Sequence, residues 1–188
     1  KFFEPDGVDA DQVSASGSAT TLVIADGGPY GNLTETITLY STADNSGITF
    51  DITGTDGNGD AQTETLTGPN AGTVNSANKY LTVTSIVSDG AIATDIQAGI
   101  LGTGALTGTV FAGRTRIRGL TGTSKASAGN IVFKNTSITG TTLLTIPLTG
   151  AVGNIDPYIP DNGVLFSAGA YINLTAADVT GITVYYDG

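Results

Sequence analysis

Three arginines at every second position, Arg114, Arg116 and Arg118 in GRTRIRGL, are the densest run of charge in this sequence. Side chains alternate between the two faces of a strand, so this spacing gathers the guanidiniums on one side and puts Thr115 and Ile117 on the other. Such a stripe has three uses: it keeps an edge strand from pairing with other chains, it docks an acidic partner, another copy's N-terminal half included, or it meets nucleic acid. A second suggestive segment is TDGNGDAQTE, residues 55–64, in which Asp56, Asn58 and Asp60 have the one-three-five spacing of a calcium loop. The rest of that pattern is missing, because Ala61 stands where glycine is needed and Thr67 where a bidentate Glu belongs. The Asp-Gly and Asn-Gly pairs fit a tight hairpin turn instead, and no metal site is expected.

Absent residues narrow the chemistry further. His, Cys, Met and Trp all count 0, which removes Ser-His-Asp and Cys-His catalysis and every ordinary zinc, copper, haem or iron-sulfur site. Glycoside hydrolysis by two carboxylates stays formally open, but no acid pair has a locating motif, and Glu35 and Glu64 lie in Thr-rich strands as solvated residues would. The expectation is a non-enzymatic chain with no catalytic residue and no cofactor. Sequons at Asn32, Asn135 and Asn173 are of the kind that a Thr-rich chain produces by chance. Tyr185 and Tyr186 end a strand on opposite faces, one toward the core and one toward the surface.

The elements that must position these residues are strands. Charged residues make up only 13% of the chain, Gly reaches 27, and β-branched Thr recurs between polar turns, a combination that favours many short strands and almost no helix. Alternating runs occur at residues 21–25, 33–40, 48–53, 62–67 and 80–87, and again at 109–112, 115–120, 130–134, 142–148, 164–168, 171–174 and 182–186. In residues 48–53, Ile48, Phe50 and Ile52 share one face and Thr49, Asp51 and Thr53 the other.

Charge divides the chain: residues 1–100 hold 13 Asp/Glu against 2 Lys/Arg, whereas residues 101–188 hold 4 against 5, which points to two modules. The expected fold is all-β, two small antiparallel β-sandwich or jelly-roll-like domains preceded by an extended N-terminal arm. The arm covers residues 1–19, an acidic β domain 20–101, a Gly-rich connector 102–108 and a second β domain 109–188. Phe2 and Phe3 on the arm either tuck onto their own domain or dock on a neighbour. A net charge of −10 argues against nucleic acid, and no run approaches the roughly 18 apolar residues of a membrane helix, so neither partner is expected. A chain that starts at Lys1 and lacks Met is expected to have lost an upstream piece.

The stretch ITFDITGTDGNGDAQTETLTGPNAGTVNSANKYLTVTSIV resembles a module recurrent in virion structural proteins of tailed bacteriophages, with its G-T-D-x-x-G hairpin, Thr/Glu strand, T-G-P-N turn and V-T-S-I ending. RIRGLTGTSKASAGNIVFKN, TTLLTIPL and YIPDNGVLFSAGAYINLTAADVTGITVYY are similar to a second phage texture, and together the resemblance covers most of residues 20–186. It implies a β-sandwich head-decoration, cement or fibre-type protein on the capsid exterior. The implied partners are the major capsid protein or other virion proteins and further copies of itself, with a trimer preferred. Alternative readings are a glycan-binding module of a tail fibre or adhesin, and a subunit of an extracellular filament or surface layer. Phe2, Phe3, Arg114, Arg116 and Arg118 are the candidate partner-docking residues.

Overall fold

In the computed structural model, which describes residues 1–160 and 162–188, every regular element is a β-strand. In chain order these are β1 (Phe2–Phe3), β2 (Asp9–Gly17), β3 (Glu35–Asp44), β4 (Thr49–Thr55), β5 (Ala61–Thr67), β6 (Asn70–Tyr80), β7 (Thr82–Ser88) and β8 (Ile96–Ile100). Then follow β9 (Ala105–Phe111), β10 (Thr115–Ser124), β11 (Ala128–Asn135), β12 (Thr141–Thr149), β13 (Gly153–Ile155), β14 (Val164–Phe166), β15 (Ala170–Thr175) and β16 (Val179–Asp187). The fold is all-β with antiparallel sheets, as the alternation predicts, and it forms two sandwich-like units.

The acidic unit comprises Gly7–Pro29 and Thr34–Gly102. It has a four-stranded sheet in the order β2-β8-β3-β6 and a three-stranded sheet in the order β5-β4-β7. Period-two burial makes its core: Phe50 and Ile52 of β4, Ile37 and Leu39 of β3, and Ile96, Ala98 and Ile100 of β8 are all fully buried. Tyr80 is buried with them, its hydroxyl donating to the Ile52 carbonyl at 3.2 Å. Two edges of the unit are closed. Glu64 of β5 accepts from the backbone amides of Ala77 and Asn78 in β6 at 2.7 and 2.9 Å, and Gln62 Nε2 donates to Lys79 O at 2.7 Å. Residues 20–27 cover β7 through bonds from Leu22 N to Ile86 O and from Val83 N to Gly27 O.

The second unit comprises Lys1–Asp6, Tyr30–Leu33 and Thr103–Gly188. One sheet runs β1-β16-β10, with β13 and β14 both paired to the far side of β10, and the other runs β12-β11-β15-β9. A single apolar cluster joins Phe3, Leu106, Ile117, Leu120, Ile131, Phe133, Phe166, Ile172, Ile182 and Val184 from both sheets. Gly31 lies in this unit with φ +58° and faces Glu4 O so closely that a Cβ there would stand 1.7 Å from it, which leaves glycine as the residue that fits.

Three sequence expectations are corrected. Residues 1–19 are not an extended arm: β1 pairs with β16 in the second unit and β2 pairs with β8 in the acidic unit. Burying Phe3 completely gains ~1.5–3 kcal/mol of transfer free energy that a mobile arm would forgo. The connector at residues 102–108 is half strand, because β9 begins at Ala105 and pairs with β15; Gly108 belongs to that strand and leaves room for Asn32 O, 2.4 Å from where its Cβ would be. Residues 21–25 form no strand of their own, although Thr21 bridges Val87 as part of the cover on β7.

Candidate docking surface

Alternation along β10 puts Thr115 and Ile117 in the interior and leaves Arg114 and Arg118 exposed and Arg116 half-buried on the opposite face. The middle of the stripe does not guard an edge, however. β10 is an interior strand, with Arg116 in register with Asp187 of β16 on one side and with Leu165 of β14 on the other. Strand order, which non-local pairing decides, rules out the edge-protecting use at Arg116, whereas Arg118 falls in the stretch of β10 between the segments that β14 and β13 cover.

Among the described residues, Asp187 is the acid that pairs with the stripe. Its Oδ2 lies 3.0 Å from Arg118 Nε, with both side chains well exposed, so this ion pair contributes at most about 1 kcal/mol. Arg116 Nη1 donates to Asn162 O at 2.9 Å, which fixes its guanidinium over the strand. Arg114 has no hydrogen bond or ion pair among the described residues. Among the described residues, one side-chain carboxylate pairs with the stripe of three guanidiniums, beside a shallow cavity of about 200 Å³ lined by Arg114, Arg116, Leu165 and Asp187.

The same outward face carries apolar groups that sequence reasoning did not join to the stripe. Directly paired strand residues point to the same side. Phe2 is in register with Thr183 and is 49% exposed, Tyr185 is 52% exposed, and Leu165, paired to Arg116, is 37% exposed. Gly181 accommodates the Phe2 ring, which lies 3.0 Å from where its Cβ would be. Tyr185 is tied to β10 by a hydroxyl contact with Thr121 at 3.3 Å. Phe2 and the arginines thus share one face of one sheet, with Thr183 and Asp187 four residues apart along β16, about 13 Å at ~3.3 Å per residue. Phe3 does not join them: it is fully buried, with the Lys1 ammonium 5.4 Å from its ring centroid, and it positions β1 instead of docking. The alternation that separates Tyr185 from Tyr186 was a legible signal for Tyr185; nothing local marked Leu165.

The remaining polar motifs are engaged in the fold. Asp56 Oδ1 accepts from the amides of Asn58 and Asp60 at 2.8 and 3.0 Å, and Oδ2 accepts from Asn58 Nδ2 at 3.1 Å, so this carboxylate closes the β4–β5 turn. Among the described residues no group of three or more His, Cys, Asp or Glu is placed to hold a metal ion. The amide nitrogens of Asn32, Asn135 and Asn173 donate to Phe2 O, Ser167 Oγ and Ile138 O at 3.1, 3.1 and 3.3 Å. Glu35 is not solvated as its Thr-rich strand suggested. It is fully buried at the start of β3, and its charge acts on Lys79, whose pKa is nonetheless lowered because burial outweighs that attraction. Burial, assisted by the nearby Glu64 charge, pushes Tyr80 up to about 12.

No protein-family model matches this chain, and no curated protein matches it.

Proposed function

We propose that this chain is a non-enzymatic structural protein of a tailed-phage virion, present in several copies on the capsid exterior, where it decorates or cements the shell. The sequence resemblance supplies the class, and the observation that carries the role is the shared outward face of Phe2, Tyr185, Leu165, Arg114, Arg116 and Arg118. Aromatic residues and arginine are the types enriched where protein surfaces meet, and a desolvated aromatic contact ringed by charge pairs gives both affinity and register. The partner that fits is an acidic surface with an apolar depression, on the major capsid protein or a sister subunit. Each contact is modest, and a lattice of many copies makes binding avid.

Removing the charge while keeping a polar, hydrogen-bonding side chain tests this directly. The triple variant Arg114→Gln, Arg116→Gln, Arg118→Gln is expected to reduce the fraction of chain that co-sediments with purified particles and to flatten its salt dependence. Unchanged occupancy at every salt concentration refutes the docking role.

A further inference from the structure

The outer face of the four-stranded sheet in the acidic unit contains a groove that the docking role does not use. Register sets its floor: Thr73, Tyr40 and Gln97 lie side by side across β6, β3 and β8, and Asn75, Thr38 and Gly99 form the next row. β2 builds one wall. It departs from regular pairing between Asp9 and Ser14 and passes over Gly99, where a Cβ would stand 2.0 Å from Asp9 O, so that Val8 and Ala10 rise above the floor. Two cavities of about 480 and 690 Å³ share Tyr40 and Gln97 and so run on as one trough, the larger extending to Asp95. Both volumes fall within the ~300–1,000 Å³ of small-ligand sites.

Polar groups in this trough differ from those elsewhere on the unit. On the outer face of the three-stranded sheet the hydroxyls are engaged with one another or with neighbours: Thr53 with Thr63, Thr55 with Thr82, Thr65 with Asp51 and Thr84 with the Thr53 carbonyl. In the trough, the side chains of Thr38, Tyr40, Thr73, Asn75 and Gln97 make no hydrogen bond among the described residues. Hydroxyl and amide groups around an accessible tyrosine ring, with donors and acceptors unengaged, suit a ligand that presents an apolar C–H face and a rim of hydroxyls.

We infer that this trough binds a short neutral oligosaccharide, stacked on Tyr40 and hydrogen-bonded by Asn75 and Gln97. An extended peptide fits less well, because peptides add to sheet edges through unpaired backbone groups, whereas the floor strands β3 and β8 are paired on both sides. Anionic sugars are disfavoured, since the residues of this unit include eleven Asp/Glu and Lys79 as their one cation. Capsid docking is not required: the sugar is bound by the free chain, so particle co-sedimentation and sugar titration can fail separately.

The test is a 15N-edited NMR titration of the whole chain with maltotriose, cellotriose and triacetylchitotriose. At least one is expected to shift amides within residues 38–42, 73–75 and 95–98, at an affinity insensitive to salt. Tyr40→Ala and Gln97→Ala should each weaken that binding roughly tenfold while the rest of the spectrum keeps its dispersion, and Tyr185→Ala should leave it unchanged. Gln97→Ala removes an amide without touching the aromatic, so it decides the matter if Tyr40→Ala disturbs the sheet. The assignment is overturned if none of the three sugars shifts these amides, if the shifts survive both substitutions, or if a Ser/Thr-rich hexapeptide shifts them and the sugars do not.

Discussion

Replacing Phe3 with Ala separates an integral first strand from a mobile arm. The side chain is fully buried in the cluster that holds Leu33, Leu106 and Ile182, and its ring lies 3.0 Å from where a Gly108 Cβ would be. Transfer of a buried Phe accounts for ~1.5–3 kcal/mol. The void left in a close-packed interior brings Phe→Ala substitutions to ~3–5 kcal/mol. At ~1.4 kcal/mol per factor of ten, Phe3→Ala should raise the unfolded fraction of the second unit by about two to three and a half orders of magnitude. Phe2, half-exposed one residue earlier, should cost no more than about 1 kcal/mol when truncated. Two units can unfold separately, so a single transition midpoint is not enough. The assay is native-state hydrogen exchange of the Val184 amide, which donates to Lys1 O at 2.8 Å, alongside urea unfolding monitored by tyrosine fluorescence. If Phe3→Ala and Phe2→Ala differ by less than about 0.5 kcal/mol, the first strand is not part of this core.

Glu64→Ala should cost the acidic unit about 1 kcal/mol, because the two exposed amides it strips in β6 exchange their shared carboxylate for water; urea unfolding measures it, and a loss under about 0.3 kcal/mol would show that the clamp is idle. Tyr80 titrates higher in the folded chain than in the unfolded one, so its contribution is fully present below about pH 10 and is lost as pH rises toward about 12, with a slope of at most ~1.4 kcal/mol per pH unit. Thermal melts across that window should be less steep in pH for Tyr80→Phe than for the parent, and parallel curves would contradict the burial argument. Asp56 is engaged by turn amides, so excess EDTA or calcium should leave the melting temperature unmoved, while Asp56→Ala should lower stability by roughly 1 kcal/mol; a calcium-dependent shift in calorimetry would reinstate the metal loop.

What could be read from the sequence follows the reach of the signal. Alternation is local, so it correctly placed Phe50 and Ile52 inside and Asp51 outside, and the three arginines on the face opposite Thr115 and Ile117. The turn chemistry of Asp56 and Asn58 was equally local. Strand order is not local. Whether β10 lies at an edge or in the middle depends on β13, β14 and β16 coming to it from far along the chain, and nothing in GRTRIRGL encodes that. For the same reason Phe3 read as part of an arm, since its partner Ile182 lies at the opposite end of the sequence. Glu35 read as solvated because its Thr neighbours are polar, yet β3 is central in its sheet and buried on both faces from Glu35 to Leu39. The trough around Tyr40 needs four strands and a bulge to exist, and its residues are scattered between Val8 and Leu101.

Cryo-electron microscopy of the native particle decides whether this chain decorates a capsid. Copies of this chain are expected at regular lattice positions on the shell exterior, with Phe2, Tyr185 and the Arg114, Arg116 and Arg118 face turned onto a neighbouring protein. A continuous fibre made of this chain, or lattice copies with that face open to solvent, would contradict the decorating role.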